Sequence, residues 1–324
     1  MLSSLGRIAG ILIAFGTSFA QADQFPIRPI TIVVPFAAGG PTDVVGRLIA
    51  DSMSEPLKTR VLIENLAGAG GTRGASYVAR SASDGYTLLL HNIGHATSAT
   101  LFRKLPYNVI SDFEPIGLVT DVPMTIIGRT GLEAKNLGEL LTLLKAKGPA
   151  INFGHAGVGS AAHLCSLLLM STAGAQVTSI PYQGSSQSLR DIVGGHIDIG
   201  CDQTTNTSSQ IQSQQVKVFA VTTPSRLKFM ADVPTADEAG LKAFEISVWH
   251  GLYAPKSTPK HILERLNAAL TYALKDPRVI ARFADLGTEP VTEERMSRDV
   301  HRAFLKAEVA KWRPLIEAAG AFVD

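Results

Sequence analysis

The sequence predicts an α/β protein built on a largely parallel sheet, and three observations carry that prediction. Short, β-branched runs alternate with helical patterns, the arrangement of layered α/β domains. Glycine-rich segments stand between a strand and the helix that follows it, as in Phe36–Asp43 and Gly154–Ser160. The alternation also starts afresh near Ile151, which over 324 residues points to two domains, each large enough to bury its own core.

Taken in order, Met1–Ala22 reads as a secretory signal. Arg7 precedes the apolar stretch Ile8–Phe15, and Ala20-Gln21-Ala22 fits the small-x-small cleavage rule. Cleavage after Ala22 would leave a chain starting at Asp23, free in an exported, periplasmic compartment that permits disulfides. No later segment has the 18 consecutive apolar residues of a membrane span.

Ile30–Val34 reads as a strand buried on both faces. The loop Phe36–Asp43 and a helix from Val44 to about Met53 follow. Strand Val61–Glu64, the turn Gly68–Gly71, a helix through Ala79 and strand Tyr86–Leu90 complete the first half. In the second half, strands are expected at Ile151–Phe153, Val177–Pro181, Ile197–Cys201 and Val216–Val221, with helices at Ala161–Thr172 and Ser185–Val193. Two amphipathic helices end the chain, about Lys260–Leu274 and Ser297–Ala319. Pro314 should kink the second or end it early.

Composition narrows the function. Hydrophobic residues make up 45% and charged residues 18%, with 30 basic against 28 acidic side chains. So apolar a chain folds, and so balanced a charge, without a Lys/Arg cluster, argues against a nucleic-acid partner. Two cysteines, Cys165 and Cys201, exclude a disulfide framework. One lies in an expected helix and the other at an expected strand end, and sequence does not establish that they are close.

Three loops sit where open α/β sheets bind ligands, at the carboxyl ends of strands. In Phe36–Asp43 (Phe36, Ala37, Ala38, Gly39, Gly40, Thr42, Asp43), glycines let backbone N–H groups approach a ligand, and the following helix N-terminus favours an anion. Thr42 or Asp43 equally fits a plain N-cap. The second loop, Leu90–Thr97, carries His91 and Asn92. The third, His155–His163, carries Gly157, Val158, Gly159, Ser160 and His163. Gly157-Val-Gly-Ser-Ala-Ala162 fits the dinucleotide fingerprint formally, but no acidic residue occurs between Gly157 and Asp191 to hold a ribose. No P-loop and no G-x-S-x-G elbow occurs. His91 and His95 have zinc spacing, yet Asn92 replaces the glutamate and Gly94 argues for a loop. His163 suits a packed or capping role as well as a ligand contact. Asp202 suits either a cap or an acceptor for a ligand ammonium. No nucleophile, base and oxyanion hole assemble, so no catalytic residue, metal or cofactor is assigned.

Pro29–Asp43, Glu64-Asn65 with Gly68–Gly71, Asp84–Leu88, Gly157–Leu164, Ile180-Pro-Tyr182, Val193–Asp198, Asp232–Thr235 and Trp249–Pro255 form an ordered set across the chain. The set resembles the Bug-type receptors, extracytoplasmic solute-binding subunits of tripartite tricarboxylate transporters. That resemblance implies a type II periplasmic-binding-protein fold of two α/β lobes around a cleft, with lobe one at about 23–122 plus 250–324 and lobe two at 123–249. It implies a small carboxylate held mainly by main-chain groups of the first and third loops with bridging waters, membrane permease subunits as partners, and a monomer. Tyr182 joins the expected ligand-binding residues with that resemblance. No Lys or Arg lies inside the three loops, so capture would rest on N–H groups and helix dipoles. The segment Cys201–Thr207 resembles the branch whose ligands include acidic amino acids such as aspartate. Enlarging Gly40 or Gly159 is expected to fill the space a carboxylate needs. The competing readings are a secreted enzyme on small polar metabolites, with His91, His163 or Asp202 as base, and a ligand sensor for a membrane kinase.

Overall fold

The computed structural model describes residues 25–320 and 322–323; the segment read as a signal, Met1–Ala22, lies outside them. β1 (Ile30–Val34) opens the fold and is almost wholly buried. α1 (Pro41–Leu57) takes Gly40 as its N-cap and places Pro41 in its first turn, where a missing N–H costs nothing. The helix thus starts before the expected Val44, and neither Thr42 nor Asp43 is its N-cap. β2 (Val61–Asn65), a 3-10 turn (Ala69–Gly71), α2 (Thr72–Ala79), β3 (Thr87–Asn92) and α3 (Gly94–Leu101) follow. The second expected loop is therefore mostly absent: His91 and Asn92 end β3, and Gly94 opens α3.

β4 (Phe113–Arg129) leads to α4 (Leu137–Lys147), β5 (Asn152–His155), α5 (Ala161–Ala173), β6 (Thr178–Pro181), α6 (Ser185–Val193), β7 (Ile199–Gln203), α7 (Thr204–Gln212) and β8 (Val216–Val221). β9 (Ser247–Pro255), α8 (Lys260–Lys275), α9 (Pro277–Asp285) and α10 (Arg298–Ala319) complete the chain. α10 continues through Pro314, contrary to the expected break. Trp312 and Ile316 are buried on either side of that proline, and the helix packs on α3 and β4, so tertiary packing overrides the lost hydrogen bond.

The nine strands run in the order β2-β1-β3-β9-β4-β7-β5-β6, with β8 also on β4. β1 pairs in parallel with β2 and β3, and β5 with β6 and β7. Between these parallel groups the sheet is antiparallel, which corrects the expectation of a largely parallel one. β9 runs against β3, and β4 runs against β7, β8 and β9. β4 changes partner midway: Phe113–Pro123 face β9, and Met124–Gly128 face β7. It is thus a shared strand between two lobes, one on β1–β3 and β9, the other on β5–β8. The C-terminal helices return to the first lobe, α8 on α1 and α10 on α3.

Within the second lobe a disulfide joins Cys165 of α5 to Cys201 of β7, with Cα atoms 6.2 Å apart. It ties the helix that follows the third loop to the strand beside it.

Candidate functional site

The loops that follow β1 and β5 face each other across the cleft. Between them is a narrow cavity lined by Phe36, Gly40, Pro41, Thr42, Asn92, Ala156, Ser160, Ala161, Ala162, Ser185 and Gln203. All but Phe36, Asn92 and Ala156 belong to the first turns, or the N-caps, of four helices. Gly40 caps α1, Ser160 caps α5, Ser185 opens α6 and Gln203 caps α7. The first turn of a helix leaves N–H groups without intrahelical acceptors and carries the positive end of the helix dipole. Four such ends converge here, and no Lys, Arg, Asp or Glu lines the cavity. The arrangement is that of an anion site made of backbone dipoles.

Side chains behind this surface hold it in place. The Asp43 carboxylate accepts from Gly39 N–H at 2.8 Å, from Arg47 at 2.9 and 3.0 Å, and from Asn65 Nδ2 at 2.9 Å. Burial works to raise its pKa, but the bonds from Arg47, Gly39 and Asn65 outweigh it and keep the carboxyl below its ordinary range. Ser160 Oγ accepts from His163 N–H at 3.3 Å, which leaves its hydroxyl proton for a solute. His163 Nδ1 accepts from Gly159 N–H at 3.3 Å. Burial, helped by the charge His155 would carry, pushes His163 down to about 4, so it is a neutral acceptor at pH 7. Asn92 reaches two ways, with Oδ1 accepting from Gly94 N–H at 3.0 Å and Nδ2 donating to Thr42 Oγ1 at 3.2 Å. Thr42 Oγ1 also meets His250 Nε2 at 3.2 Å, which links α1 to β9.

Of the residues expected in the site, Phe36, Gly40, Thr42, Asn92 and Ser160 line the cavity. Ala37 and Ala38 lie at the seam, Ala37 against Gly184 and Ala38 beneath the Ser186 hydroxyl. Gly39, Asp43, Gly159 and His163 form the two brackets just described. Gly157 and Val158 meet Gly70 of the first lobe. His91 is fully buried, packed edge-on against Phe36 and facing Gly71; it and His95 share no metal cluster among the described residues. Tyr182 gives its hydroxyl to Asp191 at 2.5 Å, and burial together with that carboxylate pushes it up to about 12. Asp202, one residue before the N-cap of α7, accepts from Gln203 N–H at 2.8 Å and from Asn206 Nδ2 at 2.6 Å. Burial, against the bonds from Asn206, Gln203 and Ser185, pushes it up to about 6.

Gly159 has a different part from the one expected. A Cβ there would meet the Phe102 ring at 3.1 Å, and its φ is +88°; enlarging it strains the loop and presses on the first lobe. At Gly40 a Cβ would meet Ala37 O at 3.3 Å, within the first loop itself. Sequence reasoning missed Pro41, Ala156, Ala161, Ala162, Ser185, Gln203 and the buried His250. Ser185 had a readable signal, since Gly184 stands between β6 and α6 as the other glycines do.

Two α/β lobes around a cleft of helix N-termini define a periplasmic-binding-protein receptor of type II fold, and comparison with known proteins agrees. The model of the family described as "Tripartite tricarboxylate transporter family receptor" matches residues 45–321, and the chain belongs to that family. The periplasmic binding protein BugD is 43% identical, with a TM-score of 0.90 over 92% of this chain and 99% of its own. MatC from Rhodopseudomonas palustris, solved with bound malate, is 37% identical with a TM-score of 0.88, over 90% of this chain and all of its own (100%). A further R. palustris protein, solved with adipate, is 30% identical with a TM-score of 0.87, over 91% of this chain and 98% of its own. Among the described residues no helix is long and apolar enough to cross a membrane.

Proposed function

We propose that this chain is a periplasmic receptor that captures a small carboxylate and delivers it to the membrane permease of a tripartite tricarboxylate-type transporter. The observation that carries the reading is the convergence of four helix N-termini on a cavity without charged side chains. Such a site holds an anion without the desolvation cost of a buried cation. Relatives with bound malate and adipate support the carboxylate class. A dicarboxylate is favoured over an acidic amino acid, because Asp202, the acceptor the sequence offers an ammonium, already has both oxygens engaged.

The same groups support capture rather than turnover. The candidate bases His163 and Asp202 hold the loop and the helix cap, and His91 lies buried behind them. Lobe one takes residues 23–122 and 250–324, and lobe two takes 123–249. The change of β4 partner between Pro123 and Met124 supports that division. A monomer is sufficient for capture, since both walls of the cleft come from one chain.

The test combines mass spectrometry of the solute that co-purifies with a thermal-shift panel of L-malate, succinate, adipate, citrate and L-aspartate. An intact dicarboxylate is expected, with about 2.7 kcal/mol of stabilisation at a hundred times its Kd. No shift with any of the five, and no carboxylate recovered, would sink the reading.

A further inference from the structure

The two lobes touch through backbone at two places beside the cavity, and glycine makes each contact possible. Gly70, in the 3-10 turn Ala69–Gly71, has φ +62° and lies against the tip of the third loop. A Cβ at Gly70 would overlap Val158 O and stand 2.9 Å from Val158 C. Nothing flexible lies there to yield, since both atoms are main chain. Gly94 supports the same side, where a Cβ would meet Gly159 O at 3.0 Å. On the other side, Gly184 caps α6 with φ −177°. A Cβ there would stand 2.8 Å from Ala37 Cβ and 3.2 Å from Ala37 N. Next to it, Ser186 Oγ donates to Ala38 O at 3.3 Å. Neither Gly70 nor Gly184 lines the cavity, yet the contacts they make flank it.

We infer that Gly70 and Gly184 are positioning residues for capture: they form two clasps, Gly70 with Val158 and Gly184 with Ala37, that let the lobes close to backbone contact. This rests on the receptor reading, because only a protein that closes around its solute needs such clasps. Each loop of the anion site is gripped from the opposite lobe, the first at Ala37 and the third at Val158. The four helix N-termini converge only when both clasps are made. A side chain at either glycine holds the lobes apart, and the apparent affinity falls with the fraction of molecules able to close.

Gly184→Ala is the cleaner variant, since any residue adopts an extended φ and the lobe's own fold is undisturbed. Gly70→Ala also carries left-handed backbone strain, so Gly195→Ala serves as its control; Gly195 has φ +79° and nothing within 4 Å of a Cβ. L-malate, adipate and L-aspartate are titrated by calorimetry. Spin labels at Arg80→Cys and Arg190→Cys, one on each lobe, report the separation. The expected result is at least about tenfold weaker binding in Gly184→Ala and Gly70→Ala, with Gly195→Ala unchanged and the short-distance population lost from both clasp variants. Wild-type affinity in Gly184→Ala, or an unchanged distance distribution, overturns the clasps. If the wild type binds none of the three probes, the solute assignment is at fault and the label distances decide the clasps alone.

Discussion

The loops that follow β1 and β5 are built to one plan and finished with different chemistry. Each runs from a strand through glycines to a helix, and each is braced by the third residue of that helix reaching back to the N–H four positions earlier. In the first lobe Asp43 accepts from Gly39; in the second His163 accepts from Gly159. Asp43 brings a negative charge, which Arg47 and Asn65 share, and α1 directs part of its dipole at that carboxylate. His163 is neutral, so α5 presents its N-terminus to the cleft with no competing anion. A covalent tie also stands behind the third loop, where Cys165 of α5 is bridged to Cys201. The same backbone geometry thus yields a charged brace that is electrostatically occupied and a neutral brace that leaves its field to the solute. The third loop should be the stronger holder of the carboxylate.

The largest expected effect comes from acid, because the neutral brace belongs to a set of buried histidines. Burial pushes His95, His250 and His301 down to about 3 and His163 to about 4. A histidine whose folded pKa is depressed takes its proton in the unfolded chain first. Its full contribution to stability is present above pH 6.5 and is lost as pH falls toward the folded value. Each such group removes about 1.4 kcal/mol per pH unit in that window. Asp202, raised to about 6, acts the other way and adds stability as pH falls from 6 toward its unfolded value, offsetting about one histidine. Four histidines against one carboxyl leave a net loss, so the melting temperature should drop steeply between pH 6.5 and 4, with proton uptake on unfolding. A flat melting temperature over that range would contradict it. Asp43, held below the ordinary range, keeps its charge through the window, so the first loop should outlast the third.

The next effect tests the charged brace. Asp43→Ala removes the buried carboxylate that accepts from Gly39 N–H and Asn65 Nδ2, and hydrogen bonds to a charged group contribute about 1.5–3 kcal/mol each. Denaturant unfolding should show a loss of roughly 2–4 kcal/mol, and solute affinity should fall with it. Asp43→Asn, which retains an acceptor, should recover most of the stability. If the two variants unfold alike, the brace is not what Asp43 provides.

How much of this was legible in the sequence depends on where the signal lay. The strand–glycine–helix loops were legible, because β-branched runs such as Ile30–Val34 and the glycines beside them are local features. β4 was not, since Pro115 and Pro123 punctuate it and prolines argue against a central strand. The strand survives because its register with β9 shifts beside Pro115 and because its partner changes just after Pro123. Pro314 misled in the opposite direction, as packing held α10 together across it. In the site, the cavity-lining residues Gly40, Thr42 and Ser160 followed from loop position, but the roles of Asp43 and His163 did not. Both stand four residues after a glycine, at Gly39 and Gly159, and that spacing is the signal that could have marked them as braces. Gly184 marks the turn that carries Ser185, but what brings Ser185 and Gln203 to the site is the pairing of β5 with β6 and β7, which no local pattern encodes.

The smallest effect on stability, and the sharpest test of the comparison, is at His163. Its side-chain bond, accepted from Gly159 N–H, is neutral and long at 3.3 Å, and such a bond contributes about 0.5–1.5 kcal/mol net. His163→Gln keeps an acceptor without charge, so it should cost about 1 kcal/mol or less and leave solute affinity within a few fold. His163→Asp reproduces the first loop's brace without its partner, because position 167, where α1 has Arg47, is Leu167. The added carboxylate then meets the solute's own charge at the N-terminus of α5, and affinity should fall about tenfold or more while the melting temperature at pH 7 follows that of His163→Gln. Placing arginine at position 167 of the Asp variant should recover part of the loss by sharing the charge as Arg47 does. Should His163→Asp bind as tightly as His163→Gln, the solute is not held at this helix, and the first loop carries it instead.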